Sequence, residues 1–286
     1  MPRVLRALGL LLGWLAGSVL RIRRAHVEAS MRAAGIDGAA RHARAMYASL
    51  GISGVELLWM TLRGARALEH VRIDEASSLR WRNALAQGRG AVVAASHTGN
   101  WDLAACTVAR DVPLLVVTKH LSVRWLDRLW QGTRARQGVR LADAEGAMAR
   151  SREQLREGGA VAMMIDQVPG SPRHAVPVEF LGRPAAADRA PAALAASAGA
   201  PLVVAASLRD EAGAQVLHVL DVFHPPRRPD RAWIDQATRE ATRALDRFVR
   251  AHPSQWLWLH RRWKPMLAAP CRAIPSSSQA GASTAA

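Results

Sequence analysis

Apolar and polar positions change their period part-way along this chain. Over residues 39–62, Met46, Leu50, Leu57 and Leu58 recur at roughly helical spacing, and residues 75–87 form a second predicted helix, stopped by Gly88. From Ala91 the texture differs. Short apolar runs at Ala91–Ala95, Leu114–Val117, Ala160–Ile165, Leu202–Ala206 and Val216–Val222 alternate with amphipathic stretches at Trp125–Arg136, Glu145–Glu157 and Ala190–Ala198. Strand-length runs separated by helix lengths are what βαβ units around a largely parallel sheet require, because such strands are covered on both faces. The predicted fold is therefore α/β, a central, mostly parallel mixed sheet flanked by helices. A long helix from Pro229 to about Arg250 comes next, then a tryptophan-rich stretch at 256–263.

The first segment has a different character. Ala7–Leu20 carries no charge, with Arg3 and Arg6 before it and Arg21, Arg23 and Arg24 after it. A comfortable membrane span needs about 20 apolar residues, and arginines directly after the apolar stretch oppose export of the downstream chain. Residues 1–24 are therefore read as an uncleaved, interfacial anchor helix on the cytoplasmic face of a membrane; the alternative is a buried helix of the core. Residues 25–269 make one domain, and 270–286, with nothing apolar to bury, a disordered tail.

Composition adds a sign to this picture. The 286 residues carry 39 Lys+Arg against 23 Asp+Glu, a net charge of +16. Such a surface favours anionic partners: an anionic membrane, an acidic carrier or nucleic acid. Nucleic acid is disfavoured because the basic residues are spread along the whole chain, one Tyr and three Phe offer few stacking groups, and none of the common binding modules is visible. Cys106 and Cys271 have no metal-ligand spacing and no disulfide framework, which points to a reducing compartment.

The stretch AVVAASHTGNWDLAAC, Ala91 to Cys106, carries the chemistry. It reads as a strand, a tight turn through Thr98, Gly99 and Asn100, and a helix from about Trp101. His97 thus lies at the carboxyl end of a strand, where ligands of open α/β sheets bind. Asp102 falls in the first helical turn, from which the glycine-containing turn can fold it back to orient the imidazole, leaving the other ring nitrogen to take a proton. No G-x-S-x-G pentapeptide accompanies this pair, so a base without a protein nucleophile would activate the substrate's own hydroxyl, or water in a soluble hydrolase. A structural histidine is the alternative.

With these residues in place, SHTGNWDL resembles the H-x4-D signature of the lysophospholipid acyltransferase superfamily, and more narrowly the lipid A biosynthesis lauroyl/myristoyl acyltransferase family. Four further blocks occur in the family's order: LDRLWQGTRARQGVRL with Arg134, Arg136 and Gly138; MMIDQVPG with Asp166; VPVEFLGRPA running into SAGAPLVV, with Gly182 and Pro184 in a turn; and QWLWLHRRWKP. The likeness covers roughly residues 4–265. Two departures bear on the acceptor: Ala186-Ala187-Asp188-Arg189-Ala190 where a Thr and Gly are usual, and Ser30-Met31 in place of an Asn-Leu pair.

The resemblance implies a membrane-associated O-acyltransferase at the cytoplasmic face of the bacterial inner membrane. It would move a fatty acyl chain from acyl carrier protein or coenzyme A, as co-substrate and with no other cofactor or metal, to a lipid or glycolipid hydroxyl. His97 would be the general base and Asp102 its partner. Asn100, Arg134, Arg136, Asp166, Gly182 and Arg189 are candidate substrate-binding residues, Arg134 or Arg136 for phosphate. Each arginine at 134 and 136 could instead be a solvated helix face, and Asp166 a turn or cap residue. Trp256, Trp258 and Trp263 could meet a membrane interface or cover the sheet, and His260 reads as structural.

Overall fold

The structure, a computed structural model, describes residues 1–264. The tail expected at 270–286, and Cys271 with it, lies outside the described residues. In chain order the strands are β1 (Val71–Ile73), β2 (Ala91–Ala95), β3 (Leu114–Thr118), β4 (Val139–Asp143), β5 (Ala160–Met164), β6 (Ala175–Phe180), β7 (Arg183–Asp188), β8 (Leu202–Arg209) and β9 (Gln215–Phe223). Seven of them form one sheet, ordered β1-β9-β8-β2-β5-β3-β4, and β6 and β7 pair separately as a hairpin. All neighbours in the sheet are parallel except β8 and β9. The five apolar runs of the sequence are its five interior strands, β9 among them. Of the edges, β1 has three residues, and β4 mixes buried with exposed positions.

The helices are α1 (Arg3–Trp14), α2 (Arg24–Ala33), α3 (Ala39–Arg63), α4 (Glu75–Leu85), α5 (Trp101–Asp111), α6 (Arg124–Arg136), α7 (Ala147–Arg156), α8 (Ala190–Ala198) and α9 (Arg231–Ala251). One core, with Trp81 of α4 and Leu103 and Cys106 of α5, fills one face of the sheet. The other, with Leu155 of α7, Leu194 of α8, Leu245 of α9 and Trp256 and Trp258, fills the opposite face. Early α3 residues Ala43, Met46 and Tyr47 belong to the second core and Met60, near its end, to the first, so this helix crosses from one layer to the other.

The N-terminal segment is part of this body. α1 continues through a π-helical stretch, Leu15–Val19, and the axis then turns by 85° into α2, with Arg21 and Arg23 in left-handed backbone. Gly9, Gly13 and Gly17 form one face of the helix and meet Ile52, Tyr47 and Ala48 of α3; a Cβ at Gly13 would collide with the Tyr47 carbonyl, and one at Gly51 with the Gly9 carbonyl. Glycine is what lets the two backbones approach. The large apolar side chains of the same helix, Val4, Leu8, Leu11 and Trp14 among them, point outward, and Trp14 is 55% exposed.

The hairpin corrects one detail of the sequence reading. Its turn is Leu181-Gly182, both at positive φ, between the pair Phe180 and Arg183. Pro184 is in β7, opposite Glu179, and not in the turn; β7 is a strand of an isolated hairpin, where a missing donor is tolerated.

Candidate active site

β2 and β5 are parallel neighbours in a register that pairs Ala95 with Met164. Continued two residues beyond the strand ends, that register sets His97 beside Asp166. The Asp166 carboxylate takes three hydrogen bonds: from the His97 backbone N–H (2.8 Å), from His97 Nδ1 (2.9 Å) and from the Trp256 indole Nε1 (2.9 Å). Asp166 is fully buried and His97 nearly so. The Nδ1–H tautomer follows from the acceptor-only carboxylate opposite it, which leaves Nε2 to take or give a proton.

Burial disfavours charge on His97, but the Asp166 carboxylate, by its charge and its hydrogen bond, outweighs that and raises the imidazole above its ordinary pKa. Burial likewise opposes charge on Asp166, yet the His97 cation and the hydrogen bonds hold this carboxyl far below the usual range. His260 stands edge-on to His97, ring centroids 4.5 Å apart, and burial together with the neighbouring His97 charge lowers it to about 4. It stays neutral. His97, Asp166 and His260 offer ligand atoms within 4.8 Å of one another, a possible metal spacing. Both Asp166 oxygens and His97 Nδ1 are already committed to hydrogen bonds.

Asp102 is not the hydrogen-bond partner of His97 in this structure. Its carboxylate lies 2.9 Å from Arg134 Nε, both side chains buried, and no hydrogen bond joins it to His97. The reason is geometric: α5 carries Asp102 toward α6, whereas the parallel register brings the end of β5 to the histidine. Burial raises the Asp102 pKa, with Arg134 pulling the other way.

Of the substrate-binding candidates, Arg134 is held by Asp102, Thr118 and Gln131 and stacked 4.5 Å over Trp130, while lining an apolar cavity beside the turn. Arg136, two residues on, is exposed on a different face of the helix. Asn100 is a structural residue. Its Oδ1 caps α5 by accepting from Leu103 N (3.2 Å), and its Nδ2 donates to Glu56 Oε2 (2.8 Å). Gly182 is in the hairpin turn facing Arg250 of α9, and Arg189 donates to the Ala175 carbonyl (2.9 Å) and lies 3.5 Å from Asp235. Arg189 ties the hairpin to α9, and neither residue contacts the histidine.

Sequence reasoning missed Glu56. From α3 it accepts from Arg209 (2.5 and 2.6 Å) and from Asn100, buried at the turn after His97. A lone Glu among apolar neighbours, V-E-L-L, was the available signal. Gly99 closes the same turn with φ +53°, and a Cβ there would strike the Ser207 carbonyl. Trp256 and Trp258 are fully buried, and Gly99 N and Leu257 N bond the Gln255 and His97 carbonyls, so the closing segment is stitched to the catalytic turn as a cover of the sheet.

The cavity, about 90 Å³, runs between the sheet and α5. The α5 residues facing it are Trp101, Ala104, Ala105 and Val108, one helical face whose two alanines leave room above Val93, Ala162 and Val203. Its lining is hydrocarbon apart from Ser96, Ser207, Arg134, His218 and the indoles. Trp101 joins it to the histidine, their rings 5.0 Å apart. Cys106 lies on the same helix in the core, where burial pushes its thiol up to about 12, so it is no nucleophile.

Comparison with known proteins gives the family to which this fold belongs. Phosphatidylinositol mannoside acyltransferase from two strains of Mycobacterium tuberculosis is 31% identical over 190 residues, which take in 63% of this chain and 56% of each relative, so the match spans little more than half of those proteins. The model of the bacterial lipid A biosynthesis acyltransferases matches residues 2–265, from α1 through the closing tryptophans, and with that coverage the chain belongs to the bacterial lipid A biosynthesis acyltransferase family.

Proposed function

We propose that this acyltransferase moves a fatty acyl group from a thioester of acyl carrier protein or coenzyme A to a hydroxyl of a glycosylated lipid, at the cytoplasmic face of a bacterial inner membrane. The observation that carries the reading is the buried His97–Asp166 pair beside an apolar cavity. A cavity lined this way favours methylene chains, and its neighbour is a base whose tautomer is fixed. The related enzymes bear the name of a mannosylated phosphoinositide, which supports a glycolipid acceptor.

In this reading the acyl chain lies against Ala104 and Ala105, with its thioester carbonyl near Trp101. The acceptor hydroxyl gives its proton to His97 Nε2 as its oxygen attacks that carbonyl. Asp166 holds the imidazolium in place, without itself taking the proton. Collapse of the tetrahedral intermediate breaks the C–S bond, and His97 returns the proton to the departing thiolate. The donor is a co-substrate, and no further cofactor enters. At the membrane, the outward apolar face of α1 would enter the interface while Arg3 and Arg21 meet anionic headgroups.

Two measurements test this. Mass spectrometry of cellular lipids with and without the gene should reveal one glycolipid class lacking an acyl chain. His97→Ala should slow transfer by about 10²–10⁴-fold in a folded protein; near-wild-type transfer by that variant would sink the assignment.

A further inference from the structure

Every residue from Lys119 to Leu126 is exposed, among them Leu121, Val123, Trp125 and Leu126, with Trp125 64% accessible. Large apolar side chains on a loose loop would mean little, but this segment is braced. The buried Asp127 accepts from Leu121 N (2.9 Å), and the His120 imidazole lies between Asp127 (2.6 Å) and Asp143 (2.9 Å). The fold thus holds four apolar side chains outward in a fixed shape. Lys119, Arg124 and Arg128 surround them, all exposed, and the acidic groups of the same segment and its brace, Asp127 and Asp143, face His120.

The position is as informative as the composition. The segment leaves the carboxyl end of β3, the sheet edge where His97 and Asp166 sit. It leads into α6, whose Arg134 bonds Thr118 at the end of that strand and pairs with Asp102. An apolar tip with an aromatic group and a basic collar beside a catalytic opening matches one surface chemistry, a bilayer with anionic headgroups.

We infer that residues 119–126 form a second membrane contact, which seats Leu121, Val123, Trp125 and Leu126 in the interface of an anionic bilayer and turns the catalytic end of the sheet toward it, separately from the face of α1. The inference rests on the lipid-acceptor reading for its purpose, but lipid binding is measured without turnover, so the two can fail independently.

The test uses the full chain and vesicles of phosphatidylethanolamine with phosphatidylglycerol, containing neither donor nor acceptor. Leu121→Ser/Trp125→Ser/Leu126→Ser should bind them about tenfold or more weakly, since each side chain forfeits interfacial burial. Trp125→Phe should remove a component of tryptophan quenching by brominated lipid, a readout that holds if the triple variant unfolds. Lys119→Gln/Arg124→Gln/Arg128→Gln should weaken binding by about fivefold per charge on these vesicles and hardly at all on neutral phosphatidylcholine. Leu8→Ser/Leu11→Ser on α1 should add to the loss. Wild-type vesicle affinity of the triple-serine variant, or quenching unchanged in Trp125→Phe, overturns the inference. So does a triple-serine variant that keeps vesicle binding and loses acyl carrier protein, which would make the segment a donor dock. An enzyme without transfer activity whose triple-serine variant still loses vesicle binding leaves this contact standing while the proposed reaction falls.

Discussion

At the scale of single residues, two buried carboxylates near one histidine are divided by their partners. Asp166 is bonded to the imidazole and Asp102 to a guanidinium, so their substitutions should fail differently. Asp166→Asn removes the charge that raises His97. A general base works when deprotonated, so transfer by the native enzyme should fall with decreasing pH through a midpoint above the ordinary histidine value. In Asp166→Asn that midpoint should move to lower pH while the limiting rate drops by about 10²-fold or more, as the tautomer is no longer enforced. Asp102→Asn leaves Arg134 buried without its counter-charge, a change that costs about 3–5 kcal/mol and should appear as a lower Tm, with the acid limb moved less than in Asp166→Asn, because Asp166 also hydrogen-bonds the imidazole. Equal pH profiles for the two variants would contradict this division. His97 was legible because a histidine closing an apolar run and opening a turn is conspicuous. Its partner was written there too: AVVAASH and AVAMMID run the same length from their first alanine, so in-register parallel pairing brings their last residues together. Nearness along the chain favoured Asp102, and strand adjacency, which a single sequence does not state, decided for Asp166. That Arg189 lies against α9 was not legible for a related reason, since nothing local reveals that the hairpin is fastened there.

At the scale of elements, buried strands advertise themselves and edges do not. The five apolar runs were recovered nearly to their ends because they are interior strands rich in apolar side chains, whereas β1 has three residues, β4 mixes buried with exposed positions, and the alanine-rich β7 has no strand signature. α1 was legible as an apolar helix but not as a packed one. The cue was G-x3-G-x3-G, read only as part of an apolar stretch. Because Gly13 lies against the Tyr47 carbonyl, Gly13→Leu should unseat α1 while leaving its outward apolar residues unchanged. The expected result is easier proteolysis within residues 1–24 and a lower Tm, and resistance equal to wild type would show that the helix does not depend on this approach. Deleting 1–24 is a poorer probe of membrane attachment, since it also bares the α3 face. The α5 face makes a second prediction. Ala104 and Ala105 leave the cavity open, so Ala105→Phe should shift donor preference to acyl chains shorter by several carbons, with the rate on those short donors largely kept. A uniform loss on all chain lengths would place the acyl group elsewhere.

At the scale of the whole molecule, the parts impose an order of events. The apolar cavity is inside the body, between α5 and the sheet, while the exposed apolar faces of α1 and residues 119–126 are outside it. In the proposed reaction, donor chain and membrane acceptor would therefore have separate places, with His97 at the strand ends between them. Among the described residues, candidate nucleophiles are poorly placed: Cys106 is buried with its thiol pushed up to about 12, and the buried Ser96 hydroxyl is paired with Thr98 at 3.1 Å, with no bond to His97. The arrangement favours a single transfer with both substrates bound, over a covalent acyl-enzyme. Labelled acyl donor mixed with enzyme alone, quenched and weighed by intact-protein mass, should show no stoichiometric adduct, and initial rates with both substrates varied should give intersecting lines, not parallel ones. A slow release of free acid is compatible, because His97 can activate water when the acceptor is missing. An adduct of one acyl group per enzyme, discharged when acceptor is added, would instead mean a ping-pong route and turn attention to Ser96, whose hydroxyl lines the cavity wall.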